Sequence, residues 1–105
     1  MGTNYYAWKN VCKCCGKPEE EFHIGKISSG WRYVLKINPE EYSDYETFTE
    51  WIMDDNIKIF DEYNKEIDKY WLLDEIVSRK DLQKRPTDNY FTNGKICDYS
   101  SADFG

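Results

Sequence analysis

The chain lacks several features that would assign it to a common class of protein. Its 105 residues include one histidine and three prolines, and no apolar run approaches the roughly 18 residues that cross a membrane. The N-terminus has neither the charged start nor the apolar stretch of a signal peptide. No low-complexity segment, linker or internal repeat is present. These absences predict one domain spanning residues 1–105, in the cytoplasm and without membrane attachment.

The usual signatures of catalysis are also absent. Neither a P-loop nor a Rossmann glycine fingerprint occurs, and the histidine has no serine or cysteine nearby in the context of a hydrolytic triad. Acidic residues are numerous, but no pair has a diagnostic spacing. We therefore expect a protein that is not an enzyme, with cleavage of a nucleotide or phosphoester as an alternative.

Aromatic rings and an uneven charge distribution are what the sequence has in abundance. Aromatic residues form 17% of the chain, and such rings suit stacking on a base or packing against a partner. The net charge is −6, yet residues 1–37 carry +3, residues 38–62 carry −8 and residues 63–105 carry −1. The basic first third favours a small anion as ligand. Long DNA or RNA is disfavoured because it needs an extended basic surface.

Hydrophobic periodicity predicts an α+β fold, a small antiparallel sheet with two helices and a zinc-knuckle-like turn. The predicted strands cover residues 4–11, 21–26, 31–37, 57–60, 65–67, 89–92 and 95–99. The predicted helices cover residues 44–54 and 68–79. In the strand at 31–37, the odd positions are apolar and the even positions largely basic, which predicts one solvated face.

Local signals refine three of these elements. Ser43 and Glu46 have the spacing of a capping box at the start of the first helix. Asn93-Gly94 is typical of a type I′ turn in the last hairpin. The second helix is predicted to bury five apolar side chains, those of Trp71, Leu72, Leu73, Ile76 and Val77.

Three cysteines near the N-terminus suggest a metal site. Cys12 and Cys15 form C-x-x-C before Gly16, a spacing that lets two thiolates face one ion, and Cys14 is an alternative to Cys15. Structural zinc takes four ligands, so His23 and Cys97 complete a predicted Cys3His site. The alternatives for the cysteines are free reduced thiols, a disulfide framework and redox chemistry through Cys14 and Cys15. The alternatives for His23 are a ligand-contacting or catalytic group and a buried, hydrogen-bonded strand residue.

The segment after the cysteines has the parts of a phosphate-binding loop. Lys26 and Arg32 supply positive charge, and Trp31 supplies a stacking surface. Ser28 and Ser29 supply hydroxyl groups, and Gly25 and Gly30 let the backbone approach a ligand. The alternative interpretation is an ordinary hairpin turn followed by a core tryptophan.

These motifs resemble those of a group of small, mostly uncharacterised bacteriophage and prophage proteins. The resemblance lies chiefly in the first third of the chain, in Asn4-Tyr5-Tyr6, Cys12-x-x-Cys15-Gly16 and His23-Ile24-Gly25-Lys26-x-Ser28-x-Gly30-Trp31. It implies a protein that acts in the cytoplasm of an infected bacterium. Proteins of this kind often act by binding, either to a nucleotide signal of bacterial immunity or to a host protein.

The leading hypothesis is a binding protein that sequesters a small phosphorylated ligand such as a nucleotide immune signal. Its predicted ligand-binding residues are Lys26, Ser28, Ser29, Gly30, Trp31 and Arg32, and its predicted zinc ligands are Cys12, Cys15, His23 and Cys97. The alternative is an acidic interaction module that inhibits a host protein or mimics nucleic acid through residues 38–62. The aromatic content and small size also suggest a homodimer.

Overall fold

A computed structural model describes residues 2–87 and 91–100, which form an α+β fold. Within these ranges, two helices accompany a seven-stranded, mostly antiparallel sheet, so the predicted α+β class with two helices is confirmed, while the zinc-knuckle-like turn stays a prediction. The elements are β1 (Gly2–Lys9), β2 (Glu20–Ser28), β3 (Val34–Lys36), α1 (Tyr45–Ile52), β4 (Ile57–Asp61), β5 (Glu66–Ile67), α2 (Lys69–Ser78), β6 (Phe91–Asn93) and β7 (Asp98–Ser100).

The strand order of the sheet is β5-β4-β1-β2-β3-β7-β6. All neighbouring pairs are antiparallel except β3 and β7, which are parallel. The long β1–β2 hairpin forms the middle of the sheet, and the segment between its strands contains residues 12–16, which we name the cysteine turn. Neither described helix is long and apolar enough to cross a membrane.

The core lies where the inward side chains of the sheet meet both helices. Alternation along β1 buries Tyr5 and Ala7, while Ile24 of β2 and Ile59 of β4 are fully buried beside them. One hydrophobic cluster joins these side chains to Phe48 and Ile52 of α1 and to Leu72 and Ile76 of α2. The sheet and both helices therefore share one hydrophobic core.

Gly25 marks an irregularity between β1 and β2 that requires glycine. The pairing register shifts between Tyr5 and Tyr6, and Gly25 has a φ of +152°. A side chain at this position would collide with the hydroxyl of Tyr33 and the carbonyl oxygen of Val34. Gly25 thus serves packing inside the sheet, whereas the sequence suggested a close approach to ligand.

The third predicted strand is shorter than expected. The observed strand covers residues 34–36, and only Val34 and Leu35 pair with β2. The residues before them have other partners, because the backbone N–H of Arg32 donates to Gln83 and the carbonyl oxygen of Tyr33 accepts from Asp98. The predicted solvated face is also wrong, since Arg32 and Val34 are as buried as Tyr33. Long-range partners override the alternation of the sequence here.

The start of α1 has a capping box one residue later than predicted. Asp44 is the N-cap, and its Oδ1 accepts from the backbone N–H of Thr47 at 2.8 Å. The hydroxyl of Thr47 in turn accepts from the N–H of Asp44 at 3.1 Å. Threonine therefore completes the box in place of the predicted Glu46, and Ser43 precedes it.

The second helix and the last hairpin also differ from prediction. α2 fully buries Leu72 and Ile76, while Trp71 is 47% exposed and Val77 is 39% exposed. β6 and β7 form the predicted hairpin, but their first pair, Asn93–Asp98, encloses a four-residue loop and neither Asn93 nor Gly94 has a positive φ. The predicted type I′ turn is therefore wrong, and residues 88–90 of that region lie outside the described residues.

Candidate functional site

The turn after β2 contains most of the residues predicted to bind a ligand. The N–H of Trp31 donates to the carbonyl oxygen of Ser28 at 3.1 Å and closes the turn. Ser29 and Gly30 are exposed at its tip. Gly30 has a φ of +82°, and no atom lies within 4 Å of the place a Cβ would occupy. The tip therefore presents a hydroxyl group and accessible backbone to solvent.

A second basic segment, residues 79–85, lies against this turn. Arg79 Nη1 donates to the carbonyl oxygen of Ser28 at 3.2 Å. The N–H of Gln83 donates to the carbonyl oxygen of Gly30 at 3.2 Å. The segment carries four basic residues and one acid, with Lys80 and Lys84 exposed. We name residues 28–32 together with residues 79–85 the basic turn face.

Arg32 is the buried member of the basic turn face. Its side chain is 0% exposed, and its Nη1 lies 3.3 Å from Asp98 Oδ1 while its Nη2 donates to the carbonyl oxygen of Gly94 at 2.6 Å. This position corrects the prediction that Arg32 contacts a ligand at the surface. A buried guanidinium needs a paired anion, and Asp98 supplies it.

Asp98 connects Arg32 to the rest of the face. Its buried carboxylate also accepts from the backbone N–H of Arg85 at 2.9 Å and from the side-chain amide of Asn93 at 2.7 Å. Three separate segments of the chain therefore converge on one carboxylate. We name Arg32, Arg85, Asn93 and Asp98 the Asp98 cluster.

Trp31 is covered on one side by Arg85. The guanidinium carbon of Arg85 lies 5.1 Å from the centroid of the Trp31 ring and 5.6 Å from that of Phe91. Burial lowers the pKa of Arg85, and the charge of Asp98 partly opposes this shift. Arg85 Nε and Nη2 are buried and have no hydrogen-bond partner among the described residues. The Arg85 guanidinium therefore covers part of the Trp31 ring surface that was predicted to stack on a base.

Lys26 and His23 lie on β2, before the turn. Lys26 is half-buried and pairs across the sheet with Asn4. His23 Nε2 lies 3.0 Å from Asn4 Oδ1, and the His23 ring centroid lies 5.2 Å from that of Tyr6. This is the arrangement of a hydrogen-bonded strand residue, which was one of the alternatives that the sequence left open for His23.

The cysteine turn lies at the opposite end of β2. Cys12, Cys14 and Cys15 are all exposed, and the N–H of Gly16 donates to the carbonyl oxygen of Cys12 at 2.8 Å. The backbone N–H of Cys15 bonds to the Cys12 sulfur and lowers the pKa of that thiol, with smaller contributions from the Cys15 thiol and from Cys14. These bonds favour the thiolate, the form that binds metals.

Cys97 differs from the three cysteines of the turn in its burial and in the pKa of its thiol. It is fully buried in the core cluster, and burial raises the pKa of its thiol to about 12. Among residues 2–87 and 91–100, no group of three or more His, Cys, Asp and Glu side chains is placed to hold a metal ion. The four predicted zinc ligands are therefore not gathered into one site in this part of the chain.

Residues 79–85 are not among the ligand-binding residues predicted from the sequence. Their signal was present as Arg-Lys-Asp-Leu-Gln-Lys-Arg, four basic residues within seven positions. Averaging over residues 63–105 concealed this run behind a net charge of −1. Their position beside the Ser28 turn depends on tertiary contacts that no local pattern indicates.

Comparisons with protein-family models, with curated proteins and with solved structures found no match to this chain.

Proposed function

We propose that this protein binds a small phosphorylated ligand at the basic turn face. The observation that supports the proposal is the position of residues 79–85 against the turn at residues 28–32, which adds cationic groups to the predicted loop. Lysine and arginine donors together with hydroxyl groups are the partners that phosphate oxygens prefer. A nucleotide signal of bacterial immunity is the ligand that the resemblance to phage proteins suggests, with the bacterial cytoplasm as the place of action.

The residues of the face take different parts in this proposal. Lys80, Lys84 and Ser29 are exposed, so they are the groups that we expect to contact phosphate. Arg79 holds the turn through the carbonyl oxygen of Ser28. Arg85 covers one side of Trp31, so we expect a base to stack on the part of the Trp31 ring that remains accessible.

Calorimetric titration of the protein with a panel of mono-, di- and cyclic nucleotides tests the proposal. We expect at least one nucleotide to bind, and we expect the double variant Lys80→Gln, Lys84→Gln to weaken it at least about tenfold, or about 1.4 kcal/mol. Both lysines are exposed, so their replacement leaves the core intact. Affinity should fall with added salt, because phosphate contacts of exposed cations are screened.

The matched control is the double variant Lys13→Gln, Lys17→Gln, in and directly after the cysteine turn. It removes the same charge from two other exposed lysines. Equal weakening by both double variants would show general attraction rather than a site. No heat with any nucleotide of the panel would refute the proposal.

We also propose that zinc binds at the cysteine turn, with Cys12 and Cys15 as ligands. The support is the exposure of both thiols and the hydrogen bonds that favour the Cys12 thiolate. In this arrangement zinc would stabilise the turn at one end of β2 and would not contact the ligand at the other end.

A further inference from the structure

The thiols of the cysteine turn are open to a second protein molecule. All residues from Cys12 to Lys17 are exposed, whereas Val11 and Pro18 on either side are half-buried. The N–H of Cys12 donates to the carbonyl oxygen of Lys17 at 2.8 Å, which holds the two ends of this exposed segment together. The segment is therefore a closed loop whose sulfur atoms face solvent.

Cys12 and Cys15 are already arranged as two neighbouring ligands. The Cys12 sulfur accepts hydrogen bonds from the backbone N–H groups of Cys15 and Cys14, and it also bonds to the Cys15 thiol. Hydrogen bonds to a ligating atom orient it and stabilise its charge when a metal is bound. Gly16 follows with a φ of +72°, which lets the chain turn back directly after the pair. One copy can therefore supply two corners of a tetrahedral zinc site.

The same chain does not place further thiol or imidazole ligands beside this pair. Among the described residues, which include every cysteine and histidine of the sequence, no three His, Cys, Asp and Glu side chains are placed to hold an ion. His23 lies three residues along β2 from the Lys9–Glu20 pair that ends the hairpin, a distance of roughly 10 Å. Cys97 is buried in the core. Structural zinc takes four protein ligands, so the cysteine turn provides half of a site.

A second copy of the turn has the ligands and the charge that this half-site needs. Its Cys12 and Cys15 complete a set of four thiolates, one of the usual ligand sets of structural zinc. Zinc with four thiolates is negatively charged overall, and residues 12–17 carry Lys13 and Lys17 and no acid. These lysines attract the metal centre, but they repel each other when the ion is absent. A two-fold axis through the ion relates the two turns, so association stops at a dimer.

We propose that one zinc ion joins two copies of this protein and is held by Cys12 and Cys15 of each cysteine turn. This inference rests on the proposed binding of zinc at the turn, and it adds the partner that completes the site. The basic turn face lies at the other end of β2, so both copies keep it accessible to a phosphorylated ligand. The zinc-linked dimer therefore has two such faces.

Native mass spectrometry tests the proposal, starting from zinc-free protein and adding zinc up to one ion per two chains. We expect the zinc-free chain at 12.6 kDa and, with zinc, a species of two chains that contains one ion. Sedimentation analysis should give a dimer dissociation constant at least about tenfold lower with zinc than with a chelator. Cys12→Ser and Cys15→Ser should each abolish the zinc-linked dimer, because each removes two of the four thiolates.

Two matched controls test the ligand set. Cys14→Ser removes the third exposed thiol of the same turn. Asp55→Asn removes a carboxylate that lines a cavity of about 370 Å³ beside Cys12. Neither should change the zinc-linked dimer, and its loss in either variant would overturn the proposed set of ligands.

The possible outcomes separate this inference from the zinc binding on which it rests. One zinc ion on a single chain would overturn the two-copy site but support zinc binding at the turn. A dimer of equal affinity with zinc and with chelator would also overturn the two-copy site. No bound zinc on chain or dimer would refute both proposals. Nucleotide binding should be the same with zinc and with chelator, so the basic turn face can fail independently.

Discussion

A turn with predicted binding residues lies at each end of β2, and different interactions hold the two turns in place. The cysteine turn at residues 12–16 is exposed and is closed by bonds between neighbours, such as that from Gly16 to Cys12. The turn at residues 28–32 is tied to residues 79–85 and to the buried Asp98. The first is an accessible local motif, whereas the second belongs to a long-range network.

This difference indicates where substitutions should affect the folded state. A local exposed turn contributes few buried contacts, so changes there should alter reactivity and metal binding more than stability. A turn joined to a buried ion pair transmits changes to the core.

The largest expected effect is that of Asp98→Ala. It leaves Arg32 buried without its anion, which should lower the free energy of unfolding by about 3–5 kcal/mol. Denaturation by urea, followed by circular dichroism, measures the loss. The control Asp81→Ala removes an exposed acid of the basic turn face and should change stability by less than about 0.5 kcal/mol. Similar effects of the two variants would contradict the importance of the Asp98 cluster.

A smaller effect is expected for Arg85→Ala. It removes the guanidinium that contacts Trp31 and Phe91, so we expect a loss of about 1–2 kcal/mol in the free energy of unfolding. Urea denaturation also measures this change, with Lys84→Ala as the exposed neighbouring control. If Arg85→Ala were as stable as Lys84→Ala, the contact with Trp31 would contribute nothing to holding the turn.

The smallest effect on stability without metal is expected for Cys12→Ser and Cys15→Ser. Both thiols are exposed, so urea midpoints in the presence of a chelator should stay close to that of the parent protein. With zinc, elemental analysis should find metal in the parent and in Cys97→Ala but not in either serine variant. Loss of zinc from Cys97→Ala would instead support the four-ligand site predicted from the sequence.

Thiol labelling measures the same contrast. Three cysteines should react quickly with a disulfide reagent and Cys97 only on unfolding, because it is buried and its pKa is raised to about 12. Cys12 should keep its reactivity to lower pH than an ordinary thiol, since its lowered pKa preserves the thiolate. Cys97 has the opposite effect on stability. In the unfolded chain its thiol loses its proton near the ordinary pKa of 9.0, whereas in the folded protein it keeps the proton to higher pH. The free energy of unfolding should therefore fall as the pH rises above 9.0.

Much of the fold could be predicted because its signals are local. Alternation located β1 and β2, and the hairpin of β4 and β5 followed from two apolar runs around Asp61–Asn64. The helices were placed by their apolar spacing within a few residues of their observed ends. Trp71 was misplaced because periodicity identifies an apolar residue without showing whether another element covers it.

The candidate site was predictable only in part. Ser28 to Trp31 do form the expected turn, since glycine and serine favour it. Arg32 was expected at the surface because arginine side chains are rarely buried without a partner. Its pairing with Asp98, 66 positions later, offsets the free-energy cost of removing the guanidinium from water.

The sequence by itself determined the α+β fold class, the main hairpins, the helix positions and the concentration of thiols before β2. These properties depend on residue spacing within single elements. The tertiary structure alone decided the parallel pairing of β3 with β7, the burial of Arg32, the approach of residues 79–85 to the turn and the exposure of Trp71. Those properties depend on which distant segments meet, and that choice minimises the free energy of the whole chain rather than of any one stretch.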